Sequence, residues 1–502
     1  MQTLQGKNIL VLGLGVSGLA MVRWCVRLGA NVTVIDSRMN PPNIDAMTKN
    51  LSSVCVLIGN FSPNLIADKN VDLLLVSPGI KPTDLIEILK AARTAGAIVS
   101  GELCLFSQAL ASLKISNFYS PQVLAITGTN GKTTVTSLTG RLIQRAGKSV
   151  VVAGNIGPSM LDKLSECLDQ GKLPEVWVLE LSSFQLNDVD CFEPKAGVIL
   201  NITQDHVDWH GDIDAYARAK LNVFGKNSKI LLNRNDELVM QLAQSKALTN
   251  KNVNQHVTFG TDAPSHIGDY GLDLIDNVTW LVKCTSAEDT GIKNKKNTKE
   301  PEVTLQRLMP IDALQIRGEH NASNALAALA LAEMTGCNLA PMLFAIREYH
   351  GEPHRVESIG FVNGVEYIDD SKGTNVGATV AALNGLGKDK NIILILGGDS
   401  KGQSFTPLLD PIVKHVRALI VFGKDKNLIK GFLTSAGIPI IVASDMPNVV
   451  SVAKDQAQAG DLVLLSPACA SLDMFVNYEH RAQVFINQVK LLAELTPQKE
   501  SS

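Results

Sequence analysis

Residues 125–134 read AITGTNGKTT: an apolar run closing on a glycine loop, then a lysine and two hydroxyls, and after them a helix-like stretch. Glycine lets the backbone fold tightly around an anion, and the N–H groups at a helix start favour negative charge. Lys132 is placed to neutralise the β/γ oxygens of a triphosphate, and the Thr133 hydroxyl to bind Mg²⁺. The match to the general G-x-x-x-x-G-K-[ST] pattern is incomplete, since its first glycine would fall at Ile126. The stretch still predicts a strand, a phosphate cradle and a helix.

Outward from this loop, short apolar runs recur along most of the chain. NILVLGLG, NVTVID, VDLLLVSPG, EVWVLELSS, AGVILNIT, KILLN, NIILILGGD, ALIVFG and DLVLLSPA each run into Gly, Ser, Asp, Asn or Thr. Runs buried on both faces predict parallel strands with helical crossovers, hence an α/β fold. At 502 residues, and roughly 100–200 residues per domain, about three domains are expected. Polar stretches at Ser112–Gln122 and Tyr349–Pro353 read as linkers and divide the chain into 1–117, 118–351 and 352–502. The expected architecture is a Rossmann-like domain, a central P-loop ATPase domain with a mostly parallel sheet, and a second Rossmann-like domain. Cys284–Glu302 is polar and reads as a mobile surface insertion.

Composition sets further bounds. A net charge of −3 with 19% charged residues argues against nucleic acid as a main partner, because phosphate-binding surfaces are visibly basic. Eight scattered cysteines (Cys25, Cys55, Cys104, Cys167, Cys191, Cys284, Cys337 and Cys469) include no CxxC pair. They suit neither a metal site nor a disulfide framework, and read as reduced thiols in a cytosolic protein. Lys7 and the apolar run through Val22 mimic a leader peptide, but three glycines interrupt the run and no small-residue cleavage site follows. No stretch approaches the roughly 20 apolar residues of a membrane span. A soluble, cytoplasmic monomer without membrane insertion is expected.

A second glycine loop, GLGVSG, places Gly13, Gly15 and Gly18 after the strand NILVL, with Asp36 ending the next strand. This fits the nucleotide-diphosphate fingerprint. Alone it would suggest a dinucleotide-dependent dehydrogenase; nucleotide binding is favoured over the plainer alternative that the glycines merely tighten helix–strand packing. The loop at Gly128 is what such a dehydrogenase leaves unexplained.

ELSSFQL, NITQDHVDWHG, AKLNVF, GEHNASNALAALA, PHRVE, DDSKGTNVGATVAAL and LSPACASLDMF follow in this order. Together with TGTNGKTT they resemble the Mur ligase family over about Lys7 to Phe485. GLGVSG combined with DSKGTNVGATVAAL and SPACASLDMF resembles the branch that adds D-glutamate to UDP-N-acetylmuramoyl-L-alanine. Other acceptors within the family, or a non-catalytic nucleotide binder, are the alternatives.

The resemblance implies an ATP-dependent ligase that makes an amide bond through an acyl phosphate in peptidoglycan synthesis. It implies ATP contacts from Gly128, Thr129, Asn130, Gly131, Lys132, Thr133 and Thr134, with Asn321 and Asn324 at the adenine, His354 and Arg355 as a second contacting element, and Asp370 near the ribose. Thr133, Glu180, His206 and Lys220 would serve Mg²⁺, with Lys220 carbamylated. Lys132, Glu180, His206 and Lys220 form the expected catalytic set. For the UDP-sugar it implies Gly15, Val16 and Ser17 at the loop tip, and Asp36, Ser37 and Arg38 at the uracil side. Ser77 and Gly79 would lie over the pyrophosphate, with Asn155, Ser182 and Gln185 toward the muramoyl end. D-glutamate would meet Lys372, Thr374, Lys401, Ser471, Leu472 and Tyr478.

Overall fold

The computed structural model describes residues 4–51, 53–244, 256–286, 303–387 and 390–495. Among these residues the strands form three sheets. The first has the order β3-β2-β1-β4-β5, from β1 (Asn8–Leu12), β2 (Asn31–Asp36), β3 (Cys55–Ile58), β4 (Leu73–Val76) and β5 (Ile98–Ser100), all parallel.

The second has the order β14-β13-β12-β11-β10-β9-β6-β8-β7. Its strands are β6 (Gln122–Thr127), β7 (Val150–Gly154), β8 (Val176–Glu180), β9 (Ala196–Ile199), β10 (Lys229–Asn233), β11 (His256–Phe259), β12 (Tyr270–Ile275), β13 (Val278–Ser286) and β14 (Val303–Pro310). The third runs β15-β16-β20-β17-β18-β19, from β15 (Glu357–Val362), β16 (Val365–Asp369), β17 (Ile392–Gly397), β18 (Val416–Phe422), β19 (Ile440–Val442) and β20 (Leu462–Leu465).

The apolar runs named from the sequence are the buried parallel strands. β6, β8 and β17 are buried along nearly their whole length, which is why they read as continuous rather than alternating. Helices cover both faces; Lys132–Arg145 and Glu319–Glu333 pack together over the central sheet around Leu138, Leu142, Leu326 and Leu329. The three-domain, mixed α/β architecture is as expected.

Four local expectations change. Antiparallel pairing appears at β12-β13-β14 and β15-β16, where strands are half-exposed, and tight turns join β12 to β13 and β15 to β16. Ser112–Asn117 is not linker: the helix Glu102–Asn117 runs through it, because a solvent-facing helix end tolerates polar residues. Cys284 does not belong to a surface insertion; it is buried within β13, and 287–302 lies outside the described residues.

Finally, Cys104 and Cys191 form a disulfide across 87 residues of sequence, with Cα atoms 5.8 Å apart. The helix carrying Cys104 lies against the segment after Leu186, so the two thiols meet through packing that no sequence spacing encodes. Cys25, Cys167, Cys284, Cys337 and Cys469 are free and buried, and Cys55 is free and exposed.

Candidate active site

The phosphate loop leaves the C-terminal edge of β6, which sits between β8 and β9 inside the central sheet. Register pairs Ile126 with Glu180, so the acid ending β8 stands beside the loop. Gly131 has φ +82°, and a Cβ there would lie 2.5 Å from the Asn324 side-chain oxygen. The loop must therefore be glycine for the helix Glu319–Glu333 to approach it. Asn324 donates to Asn321 (3.2 Å), and Asn321 donates to the Arg317 carbonyl (2.8 Å).

Lys132 donates to the Gly128 and Thr129 carbonyls at 2.8 and 2.7 Å. Burial lowers its pKa, opposed by the nearby Glu180 and Asp205 carboxylates. Glu180 is 2% exposed. One of its oxygens accepts from Asn155 (2.7 Å), and the other, Oε2, is buried without a hydrogen-bond partner. A buried carboxylate oxygen left open beside a phosphate cradle suits a hard cation.

Lys220 is 1% exposed. It donates to the Gly128 carbonyl (2.9 Å) and Thr127 Oγ1 (3.3 Å), and its ammonium lies 4.4 Å from the Tyr216 ring centroid. Burial and the Lys132 charge push its pKa far down. A lysine so placed is inclined to the neutral, nucleophilic amine.

His206 has φ +53°, its ring packs edge-on to Phe184, and it stands 3.6 Å from Asp205. Burial lowers its pKa. His210 bonds the Ser183 hydroxyl (2.9 Å) and stacks on Phe184, and burial lowers its pKa to about 4. It braces the aromatic cluster.

The segments before β15 and after β16 meet this loop directly. Arg355 donates to Thr133 Oγ1 (2.5 Å), and the Asn130 and Asn375 side chains exchange hydrogen bonds at 3.2 and 3.0 Å. Lys372 lies 3.6 Å over the Tyr478 ring, and burial with the Arg355 charge lowers its pKa to about 8. Asp370 is buried, accepts from Ser466 (2.6 Å), and is raised by burial to about 7.

Lys372 and Thr374 follow β16, Ser471 and Leu472 follow β20, and Lys401 follows β17. These are adjacent strands, and their C-terminal ends form the crevice where open α/β sheets bind ligands. Lys401 carries φ +49° and is exposed; its charge reaches His206. Ser471 is buried and Leu472 is 72% exposed.

In the first sheet, Gly18 is a packing glycine: a Cβ there would lie 2.0 Å from the Gly13 carbonyl oxygen. Asp36 accepts from the Leu14 backbone (2.7 Å) and is clamped by Arg38 at 2.9 and 2.7 Å. Burial would raise its pKa, but these bonds outweigh it and hold it at about 2. Val16, Ser37 and Gly79 are exposed, and Ser77 is buried against Gly15.

Ser182 and Gln185 cap one another at the start of a short helix. Between the first and central sheets lies a cleft of about 230 Å³ lined by Ser77, Glu102, Phe184, Gln185 and Trp209, among others. Trp209 donates to the Ile80 carbonyl (3.1 Å) across it.

Several supporting residues escaped the sequence reading. Asn201 exchanges hydrogen bonds with the Asn130 backbone at 2.8 and 3.1 Å, and Tyr216 reaches the Thr129 hydroxyl at 3.0 Å. Asn201 opens NITQDH, so its place at the end of β9 beside the loop was a usable signal.

A phosphate loop flanked by a buried acid, a desolvated lysine and cations from a neighbouring domain defines a nucleotide-dependent α/β transferase or ligase. Comparison with known proteins narrows the class. Mur ligase MurD-like, N-terminal domain matches residues 7–101, Mur ligase middle domain 126–332, and Mur ligase, glutamate ligase domain 354–469. UDP-N-acetylmuramoylalanine--D-glutamate ligase of Albidiferax ferrireducens is 54% identical over 496 residues, covering 98% of each chain. The protein of the same name from Paraburkholderia phymatum is 51% identical over 97% of each. Among solved structures, MurF ligase of Thermotoga maritima in complex with ADP shares the fold at TM-score 0.57 and 15% identity, covering 98% of this chain and 96% of that one. The chain belongs to the Mur ligase family.

Proposed function

We infer that this protein is an ATP-dependent ligase that joins D-glutamate to UDP-N-acetylmuramoyl-L-alanine in peptidoglycan synthesis. The observation that carries the reading is the convergence on one loop of Lys132, the half-open Glu180 carboxylate and Arg355 from the segment before β15. The whole-length similarity to ligases of that name supports the substrates.

The reaction needs an electrophile made from an unreactive carboxylate. The L-alanyl carboxylate attacks the γ-phosphorus, the bond to the β-phosphate oxygen breaks, and ADP leaves. The amine of D-glutamate then attacks the acyl phosphate, and phosphate departs from the tetrahedral intermediate. Two anions must approach, so catalysis is mostly positioning and charge neutralisation. Lys132 and Arg355 supply fixed positive charge at the γ-phosphoryl group. Thr129 to Thr134 supply backbone N–H groups and hydroxyls, and Asn321 and Asn324 take the adenine edge. Asp370 faces the ribose, with His354 beside the nucleotide.

Thr133, Glu180, His206 and Lys220 fit a magnesium site; the orphaned Glu180 oxygen is the strongest sign of it. Bound there, Mg²⁺ would neutralise the phosphate oxygens. We assign Lys220 as a carbamylation site. Its neutral amine attacks CO₂, the N–C bond forms, one C=O pair moves to oxygen, and a proton leaves to water. The product is an anionic oxygen ligand in place of a cation. Acid treatment should release the added mass, and a Lys220→Ala enzyme with full activity removes the assignment.

Residues 1–117 are read as the UDP-sugar domain, with Gly15 to Ser17, Asp36 to Arg38, Ser77, Gly79, Asn155, Ser182 and Gln185 as contacts. Residues 118–351 are read as the ATP domain. Residues 352–502 carry Lys372, Thr374, Lys401, Ser471, Leu472 and Tyr478 for the two carboxylates of D-glutamate. Among the described residues no helix is long and apolar enough to cross a membrane. ATP and the UDP-sugar are nucleotides, and the protein is read as a cytoplasmic monomer. The deciding experiment measures phosphate release from ATP with UDP-N-acetylmuramoyl-L-alanine, with and without D-glutamate. Turnover that ignores the amino acid, or no amide product, overturns the function.

A further inference from the structure

His354 is held at three points. Its backbone has φ +63°, a left-handed conformation unfavourable for a side-chain-bearing residue. Its N–H donates to Glu357 Oε2 (2.9 Å), and its carbonyl accepts from the Lys372 N–H (3.2 Å). Its ring nitrogen Nδ1 lies 2.7 Å from Asp369 Oδ2.

Asp369 ends β16 and is fully buried, so its carboxyl faces no solvent. Its second oxygen accepts from the Ser371 N–H (2.9 Å). Both oxygens are thus engaged, one by the loop that carries Lys372 and one by the imidazole. His354, Glu357 and Asp369 bring ligand atoms within 4.8 Å of one another, as a metal site would. Here those atoms are satisfied by each other and by the backbone, which marks a structural brace instead.

We propose that Asp369 is a positioning residue: it accepts a hydrogen bond from the Nδ1–H of His354, fixes the ring's tautomer and rotation, and leaves Nε2 as the nitrogen offered to the nucleotide. This rests on the reading of His354 as an ATP contact. A buried carboxylate behind a histidine sets which ring nitrogen works. Because Asp369 also holds the Ser371 N–H, it ties the nucleotide side of the site to the loop bearing Lys372. Without it, the imidazole keeps its place in the chain but loses its orientation.

The test uses full-length enzyme. Asp369→Leu should raise the KM for ATP about tenfold, the usual scale for losing a hydrogen bond to a charged group, while the KM for the UDP-sugar stays unchanged. Asp369→Asn keeps an acceptor for Nδ1–H and should recover to within about threefold of wild type. A wild-type ATP KM in the leucine variant overturns the proposal. So does an asparagine variant as impaired as leucine.

The ¹⁵N imidazole spectrum of the unmodified, nucleotide-free protein, assigned with His354→Asn, keeps the idea testable if the leucine variant does not fold. A protonated, slowly exchanging Nδ1 is expected, and a bare Nδ1 overturns the dyad. His354→Asn with unchanged ATP KM instead removes the nucleotide reading of His354, and with it the role proposed for Asp369, while the spectrum still reports the dyad.

Discussion

The loops at Gly13–Gly18 and Gly128–Thr134 share one backbone device and differ in what charge they hold. Each leaves a buried parallel strand, bends at glycine and enters a helix. The first has no cation of its own; Arg38 is clamped to Asp36, whose carboxylate in turn ties down Leu14. The second encloses Lys132, lies against Lys220 and Glu180, and receives Arg355 from another domain. Glycine lets a diphosphate approach in either place. Desolvated cations beside an open carboxylate are what turn a resting place for phosphate into a place where phosphate moves.

The comparison breaks first at Lys132. Lys132→Ala should lower kcat at least about 10³-fold, as loss of a fixed charge on a developing anion does, while UDP-sugar binding measured by calorimetry is retained. Comparable losses of both would mean the loops are not functionally separate. Lys220→Ala should cost about a hundredfold in kcat, and short carboxylates in the buffer should restore part of it by supplying the missing oxygen ligand; no rescue at any concentration argues for a plain cation.

Gly18→Ala probes the packing side of the first loop. Forcing a Cβ against the Gly13 carbonyl should lower stability by about 1–3 kcal/mol in a denaturant melt, with the ATP KM unchanged in the folded fraction. Arg38→Ala should raise the UDP-sugar KM about tenfold, on the scale of a charge-assisted hydrogen bond, and leave the ATP KM alone.

The smallest effect contrasts two acids. Asp36 sits at about 2 and Asp370 at about 7. Asp36 is depressed, so its stabilisation is present above pH 4 and is lost as pH falls toward 2. Asp370 is raised, so the folded state holds a proton that the unfolded chain releases, and stability declines as pH rises from about 4 to 7. Asp36→Asn should flatten the acid limb of a stability–pH curve, and Asp370→Asn the limb between pH 4 and 7. A curve unchanged by both sinks the assignment.

Much of this was legible before any coordinates. The buried strands announce themselves because both faces are covered, so runs such as IILILG carry no polar alternation. The phosphate loop is local, and a local motif survives in sequence. β12 to β14 were missed because their alternating, half-exposed residues run into a polar stretch that hides them. The Cys104–Cys191 bond, the Arg355–Thr133 contact and the His354–Asp369 pair join residues 87, 222 and 15 positions apart. The first two depend on how the domains pack against each other, and the third on the antiparallel pairing of β15 with β16, which no window of sequence records. Asp36 shows the subtler limit: its position suggested a contact on the uracil side, but only geometry reveals both oxygens already in use.

Lys132 rests on the carbonyls of its own loop, and Arg355 rests on the hydroxyl of Thr133. Part of the water around these cations is therefore displaced during folding, before any nucleotide arrives. Nucleotide association becomes an exchange of partners: phosphate oxygens replace the protein oxygens, and less solvent has to be rearranged. Substitutions that loosen Lys132 from Gly128 and Thr129 should thus shift affinity for ATP and thermal stability in opposite directions, one rising as the other falls.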